Sequence, residues 1–121
     1  MKAAPLRFGG LLVNYLCNMR CGHCIYASSP HREREYITPE TARRALRRIR
    51  ELGCRRIHIA GGEPFLQPER LLEVLRIKGV KVVLISTDGM VPRDLRNAAD
   101  RFVDLNELRP ALEKVDGQPQ P

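Results

Sequence analysis

The sequence predicts an α/β fold of parallel β/α units with three to four strands. Apolar stretches of strand length alternate with stretches of helical periodicity through residues 6–106. The third predicted strand, residues 80–85, is almost continuously apolar, as expected when both faces of a strand are covered. The alternation implies a parallel sheet with right-handed crossovers. Such sheets bind ligands at the C-terminal ends of their strands.

The first predicted strand spans residues 6–16, with a bulge expected at Gly9 and Gly10. The loop after it, residues 17–24, reads CNMRCGHC and has the spacing C-x-x-x-C-x-x-C. Thiolates are soft ligands that capture soft metals and iron–sulfur clusters. Because structural zinc sites usually need four ligands, three cysteines in one loop favour a [4Fe-4S] cluster whose fourth iron stays open. The predicted metal ligands are Cys17, Cys21 and Cys24.

A helix is predicted after the charged loop at residues 25–37, with Thr38 as its N-cap, Pro39 as its first residue and Gly53 at its end. Its apolar face comprises Ala42, Ala45, Leu46, Ile49 and Leu52. The arginines off that face are Arg43, Arg44, Arg47, Arg48 and Arg50. They predict a solvated surface or, alternatively, a nucleic-acid or phosphate patch.

The second strand, residues 56–60, ends in the turn GGEP at residues 61–64, and a second helix follows over residues 68–78. The third strand ends in the turn STDG at residues 86–89, which is interpreted either as an ordinary turn or as a ligand contact.

A third helix from Pro92 and a fourth strand at residues 102–105 complete the pattern. We therefore predict one β/α core over residues 1–106 and a polar C-terminal extension over residues 107–121, frayed near its end.

Composition limits the partners. The net charge of +7 permits anionic ligands, whereas an aromatic content of 5% argues against a nucleic-acid binder that stacks bases. No apolar run reaches the length of a membrane span, and the N-terminus is a poor signal peptide. Reduced cysteines are typical of the cytoplasm, where disulfides are rare. We therefore expect a cytoplasmic protein with no membrane partner.

Three motifs together resemble the radical S-adenosylmethionine (radical SAM) superfamily: the cysteine loop, the GGEP turn and, more weakly, the STDG turn in place of a T-N-G turn. They fall in the family's order and cover roughly residues 6–100. The family usually has an aromatic residue before the third cysteine, and this chain has His23 there. The resemblance implies the first half of a partial TIM barrel. Its last strand would be an open edge. Either a second copy or a partner covers that edge, or the chain is a fragment of a longer protein.

The resemblance also implies function. Cys17, Cys21 and Cys24 would hold a [4Fe-4S] cluster, and the turn Gly61-Gly62-Glu63-Pro64 would receive the ammonium group of S-adenosylmethionine. Reductive cleavage would then give a 5′-deoxyadenosyl radical, with an electron from a flavodoxin- or ferredoxin-type reductant. The substrate is not indicated, because relatives that act on proteins, RNA and small metabolites share both motifs.

Two alternatives stay open for the cysteine loop. One is a non-catalytic metal module, either a Cys₃His zinc site using His23 or His31 or a cluster carried for a partner. The other is a degenerate relative that keeps a cluster without turnover. Outside the loop, Cys54 is expected to be a core thiol and His58 a packed histidine.

Overall fold

The computed structural model describes residue 4 and residues 6–113, in which four strands and four α-helices alternate along the chain. The strands are β1 (Gly9–Leu12), β2 (Ile57–Ala60), β3 (Val83–Ser86) and β4 (Arg101–Asp104). The helices are α1 (Pro39–Glu51), α2 (Pro68–Leu75), α3 (Arg93–Ala98) and α4 (Leu105–Leu112), and a 3₁₀ turn spans Pro64–Leu66. The predicted α/β class is therefore confirmed.

The chain divides into two compact units, Met1–Lys78 and Gly79–Pro121. The first contains β1 paired with β2, the second contains β3 paired with β4, and both pairs are parallel. The sequence predicts one sheet of three to four strands, but the described residues form two sheets of two strands and no closed barrel. Each ladder has four residues per strand.

The pairing of β1 with β2 is regular, so the bulge predicted at Gly9 and Gly10 is wrong: these residues lie opposite Ile57 and His58. A Cβ at residue 10 would lie 2.8 Å from His58 Cε1, so a larger residue there would displace the His58 ring. The His58 ring stacks on Phe8 with 4.9 Å between ring centroids. His58 is thus packed against a ring, although it remains exposed to solvent.

Local sequence signals set both ends of α1. The Thr38 hydroxyl accepts a hydrogen bond from the Thr41 amide, and Gly53 follows the C-cap with φ of 87°. Ala42 and Cys54 are buried, as predicted for the apolar face and for a core thiol. The arginines of this helix are exposed to solvent, and Arg48 pairs with Glu51 at 3.0 Å.

In the second unit, β3 is covered on one face only. Leu84 is 8% exposed, whereas Val83 and Ile85 are 57% and 59% exposed. The prediction that both faces of this strand are covered is wrong for this structure, because an apolar run does not specify what packs against each face. Helix α4 crosses the predicted domain boundary at residue 106, and the predicted frayed end lies outside the described residues.

Candidate functional site

The candidate site is built on residues 13–17, the extended segment that continues β1 into the cysteine loop. The Val13 amide donates to the Ala60 carbonyl at 2.9 Å, and the Val13 carbonyl accepts from the Ile37 amide at 2.8 Å. At the other end, the Cys17 amide donates to the Ser29 carbonyl at 3.1 Å. Hydrogen bonds on both sides therefore fix the backbone where the cysteine loop begins.

The GGEP turn lies against the same segment. The Gly62 amide donates to the Asn14 carbonyl at 2.9 Å, and the Glu63 amide donates to the Leu16 carbonyl at 2.8 Å. The side-chain amide of Asn14 donates to the Glu63 carbonyl at 3.0 Å. The structure thus brings two predicted site elements together, since Leu16 directly precedes Cys17.

Both glycines of the turn are required by this contact. A Cβ on Gly61 would lie 2.3 Å from Asn14 Oδ1, and a Cβ on Gly62 would lie 2.1 Å from the Leu16 carbonyl oxygen. Glycine lets a backbone approach its neighbours closely, because it has no Cβ. In the structure, the space is filled by the backbone and side chain of the preceding strand segment.

The carboxylate of Glu63 caps the 3₁₀ turn that follows, because its Oε1 accepts a hydrogen bond from the Phe65 amide at 3.0 Å. No other hydrogen bond to this carboxylate is found within residues 6–113. The Tyr36 hydroxyl donates to the Pro64 carbonyl at 3.2 Å. Burial, and after it the negative charge of Glu63, raises the pKa of Tyr36 above its ordinary value.

The cysteine loop presents its thiols in a partly exposed state: Cys17, Cys21 and Cys24 are free and half-buried. The Met19 amide faces the Cys17 sulfur at 3.5 Å, and the Cys24 amide donates to the Cys21 carbonyl at 3.2 Å. The backbone amide of Ser28, followed by that of Tyr26, lowers the pKa of the Cys24 thiol. An N–H dipole directed at sulfur stabilises the thiolate, which is the form that binds metals.

The family model of the Radical SAM superfamily matches residues 11–114. This match includes the cysteine loop, the GGEP turn and residues of all four strands. The chain belongs to the radical SAM superfamily. The resemblance carried by the three motifs is therefore confirmed at the level of the family.

Radical SAM relatives of known name match most of the chain. A GTP 3′,8-cyclase from Chlorobaculum tepidum is 31% identical over 112 residues, which is 88% of this chain and 32% of that protein. A probable GTP 3′,8-cyclase from Methanocaldococcus jannaschii is 26% identical over 104 residues, 83% of this chain and 34% of that protein. The chain thus spans about a third of the length of these cyclases.

A shorter match has higher identity. The low amplitude and bright protein LabA from Synechococcus elongatus is 49% identical over 53 residues, 44% of this chain and 28% of that protein. No solved structure matches the chain. Among the helices of the described part of the chain, none has the length and apolar character needed to cross a membrane.

The side chains of the cysteine loop can be compared with the ligands that a zinc ion and a [4Fe-4S] cluster require. A zinc site needs its ligands around one point, and in residues 4 and 6–113 no group of three or more His, Cys, Asp or Glu side chains is so arranged. A [4Fe-4S] cluster also needs its three thiolates around one site, although each of them binds a different iron. The loop supplies suitable donors, three free and partly exposed thiols of which one has a lowered pKa, but within residues 4 and 6–113 their sulfurs are not gathered around one point.

The STDG turn is held by structural contacts within the second unit. The Asp88 carboxylate forms an ion pair with Arg96, and the Asp88 amide donates to the Asp104 carboxylate at 3.4 Å. The Arg96 guanidinium lies over the Phe102 ring, 4.5 Å from its centroid. These contacts agree with the interpretation of an ordinary turn, and the ligand contact considered for it stays a prediction.

Two residues of the site were not predicted from the sequence, Asn14 and Tyr36, and both hold the GGEP turn through side-chain hydrogen bonds. A signal for Asn14 exists, because it is a polar residue in an otherwise apolar segment, three positions before the first cysteine. Tyr36 stands at the end of a charged loop and has no comparable signal.

Proposed function

We propose that this radical SAM chain binds a [4Fe-4S] cluster through Cys17, Cys21 and Cys24, and S-adenosylmethionine beside the GGEP turn. The observation that carries the proposal is the hydrogen bond from the Glu63 amide to the Leu16 carbonyl at 2.8 Å. It fixes a carboxylate-bearing turn next to the residue that precedes Cys17. The proposal also includes the fold that the resemblance implies, in which the chain is the first half of a partial TIM barrel.

The chain's own residues would do three things. The three thiolates would each bind one iron and leave the fourth iron open to the amino and carboxylate groups of S-adenosylmethionine. Glu63 would bind the ammonium group through its second carboxylate oxygen, since Oε1 is used by the Phe65 amide. A carboxylate opposite an ammonium forms a charge-assisted hydrogen bond. The backbone hydrogen bonds around residues 13–17 would hold both elements at a fixed separation.

When bound, the cluster supplies one electron for cleavage of a carbon–sulfur bond of S-adenosylmethionine, which gives methionine and a 5′-deoxyadenosyl radical. The electron would come from a flavodoxin- or ferredoxin-type reductant in the cytoplasm. In the proposed half-barrel the last strand has an unpaired edge, and we propose that a second copy or a partner covers it.

The test is anaerobic reconstitution with iron and sulfide, in which we expect about four irons per chain. Single Cys→Ser substitutions at residues 17, 21 and 24 should each reduce the bound iron. Cys54→Ala is the matched control, because its thiol is buried and bonded to the Arg56 carbonyl at 3.1 Å, and it should bind iron as the wild type does.

Reduction in the presence of S-adenosylmethionine should then release 5′-deoxyadenosine. A cluster without cleavage would support the degenerate alternative. Bound zinc with no iron would support a structural metal module and overturn the proposed function.

A further inference from the structure

The hydrogen bonds around Glu63 single out one side chain that the proposed chemistry does not use. Asn14 is 3% exposed and lies between the cysteine loop and the GGEP turn. Its Nδ2 donates to the Glu63 carbonyl at 3.0 Å. Its Oδ1 is buried with no hydrogen-bond partner in the part of the chain that the structure describes.

An asparagine at this position costs folding free energy, because a buried acceptor without a partner has lost its bonds to water. An apolar side chain of similar size would avoid that cost. The compensation is at Nδ2, which donates to the Glu63 carbonyl at 3.0 Å and adds a long-range bond to the one that this carbonyl accepts from the Leu66 amide at 3.2 Å. Together with the Glu63 amide bonded to the Leu16 carbonyl, this ties both backbone polar groups of Glu63 to the segment before Cys17.

The backbone that carries the Glu63 side chain is fixed as a result. With its peptide groups held on both sides, the carboxylate can rotate only about its own side-chain bonds, and one oxygen is already bonded to the Phe65 amide. A ligand that meets this carboxylate therefore finds it already oriented, which lowers the entropy lost on binding.

We propose that Asn14 is a positioning residue for S-adenosylmethionine, acting through the Glu63 peptide and not through contact with the ligand. The inference rests on the proposed function, because it assigns Glu63 to the ammonium group. It adds a residue outside the cysteine loop and the GGEP turn, and it explains why a buried amide with an unpaired oxygen lies between them.

The chain offers a matched control in Gln67. This amide is also buried, at 6% exposure, and its Nε2 donates to the Arg34 carbonyl at 3.2 Å. Its Oε1 likewise has no hydrogen-bond partner among the described residues. Asn14→Leu and Gln67→Leu each remove one amide-to-carbonyl bond and one unpaired oxygen, but only the first bond involves the GGEP turn.

The first measurement uses the metal-free protein and hydrogen exchange at the Glu63 amide. Relative to the amides of α2, which report the stability of the first unit, Asn14→Leu should lower protection at Glu63 by about ten-fold. Gln67→Leu should change Glu63 and the α2 amides in parallel. If each variant lowers protection at Glu63 and at the α2 amides by the same factor, Asn14 only stabilises the fold, and the inference is overturned.

The second measurement is the dissociation constant for S-adenosylmethionine on the cluster-loaded protein, by calorimetry. Asn14→Leu should bind about ten-fold more weakly at unchanged iron content, and Gln67→Leu should stay within about two-fold of the wild type. If Asn14→Leu does not fold, Asn14→Asp keeps the shape while replacing the donor by an acceptor, and the same loss is expected.

The outcomes separate the two proposals. A wild-type protein that takes up the cluster but binds no S-adenosylmethionine overturns the proposed function and this inference with it. Tight binding by the wild type, with the same affinity in Asn14→Leu or with equal losses in both leucine variants, overturns the inference alone.

Discussion

The amide of Glu63 donates a hydrogen bond of 2.8 Å to the carbonyl of Leu16, and the 46 residues from Cys17 to Gly62 separate the two in the chain. This one bond joins the end of the GGEP turn to the start of the cysteine loop. It extends the parallel pairing of β1 with β2 beyond the last ladder residues, Leu12 and Ala60. Two segments that are distant in sequence are therefore held as one local structure.

The space beside Gly62 can be tested by adding one methyl group. A Cβ there would lie 2.1 Å from the Leu16 carbonyl oxygen, which is backbone and cannot rotate away. We expect Gly62→Ala to lower the free energy of unfolding by at least about 3 kcal/mol, measured by urea denaturation. Gly22→Ala, where a Cβ meets nothing within 4 Å, is the control. Equal stability of the two variants would contradict this close approach of turn and strand segment.

Alkylation should distinguish the four cysteines of the metal-free protein. Cys54 is 4% exposed and should resist iodoacetamide until the protein unfolds. Cys24 should react at lower pH than an ordinary thiol of pKa about 8.5, because backbone amides stabilise its thiolate. Mass spectrometry of the labelled peptides over a pH series gives both results. Cys24 labelling that follows the pH profile of N-acetylcysteine would contradict the second expectation.

Tyr36 should make stability depend on pH in the alkaline range. Its pKa is raised in the folded state by burial, so its contribution is fully present below the unfolded value of about 10 and is lost as pH rises above it. Tyr36→Phe should cost about 1 kcal/mol at pH 7, because the bond to the Pro64 carbonyl is lost.

The same variant should lose less stability than the wild type between about pH 9 and about pH 11, since it has no hydroxyl to ionise. Urea denaturation at each pH measures this. Tyr26→Phe, at a tyrosine that is 40% exposed, is the control and should follow the wild type. If the free energy of unfolding falls equally with pH in the Tyr36→Phe and wild-type proteins, ionisation of this hydroxyl does not cause the alkaline loss of stability.

The two faces of β3 should respond differently to substitution, because one is buried and the other is exposed. Leu84→Ala should lower the free energy of unfolding by about 2 to 3 kcal/mol, because Leu84 is 8% exposed. Ile85→Thr should change it by less than about 0.5 kcal/mol, since that side chain is 59% exposed. A large loss for Ile85→Thr that depends on protein concentration would mean that this face is buried in an assembly.

The local elements could be predicted because their signals lie within a few residues of chain. Thr38 caps α1 through a bond to an amide three residues away, and Gly53 ends it with a positive φ that glycine adopts without strain. The cysteine spacing is local in the same sense, and together with the GGEP turn it is sufficient to indicate the family. The exposure of Val83 and Ile85 could not be predicted this way, because an apolar run states what a strand prefers and not what covers it.

Sequence alone specifies the order of the four strands and the first three helices, the ends of α1, the cysteine loop and the membership of the family, whereas α4 lies where a polar extension is predicted. The three-dimensional contacts were needed to explain why residues 61 and 62 are glycine and why residue 14 is asparagine. Those reasons are contacts between segments far apart in the chain, where a carbonyl oxygen occupies the volume of an absent Cβ. Periodicity and spacing describe neighbours along the chain, so they carry no information about which distant atoms fill that volume.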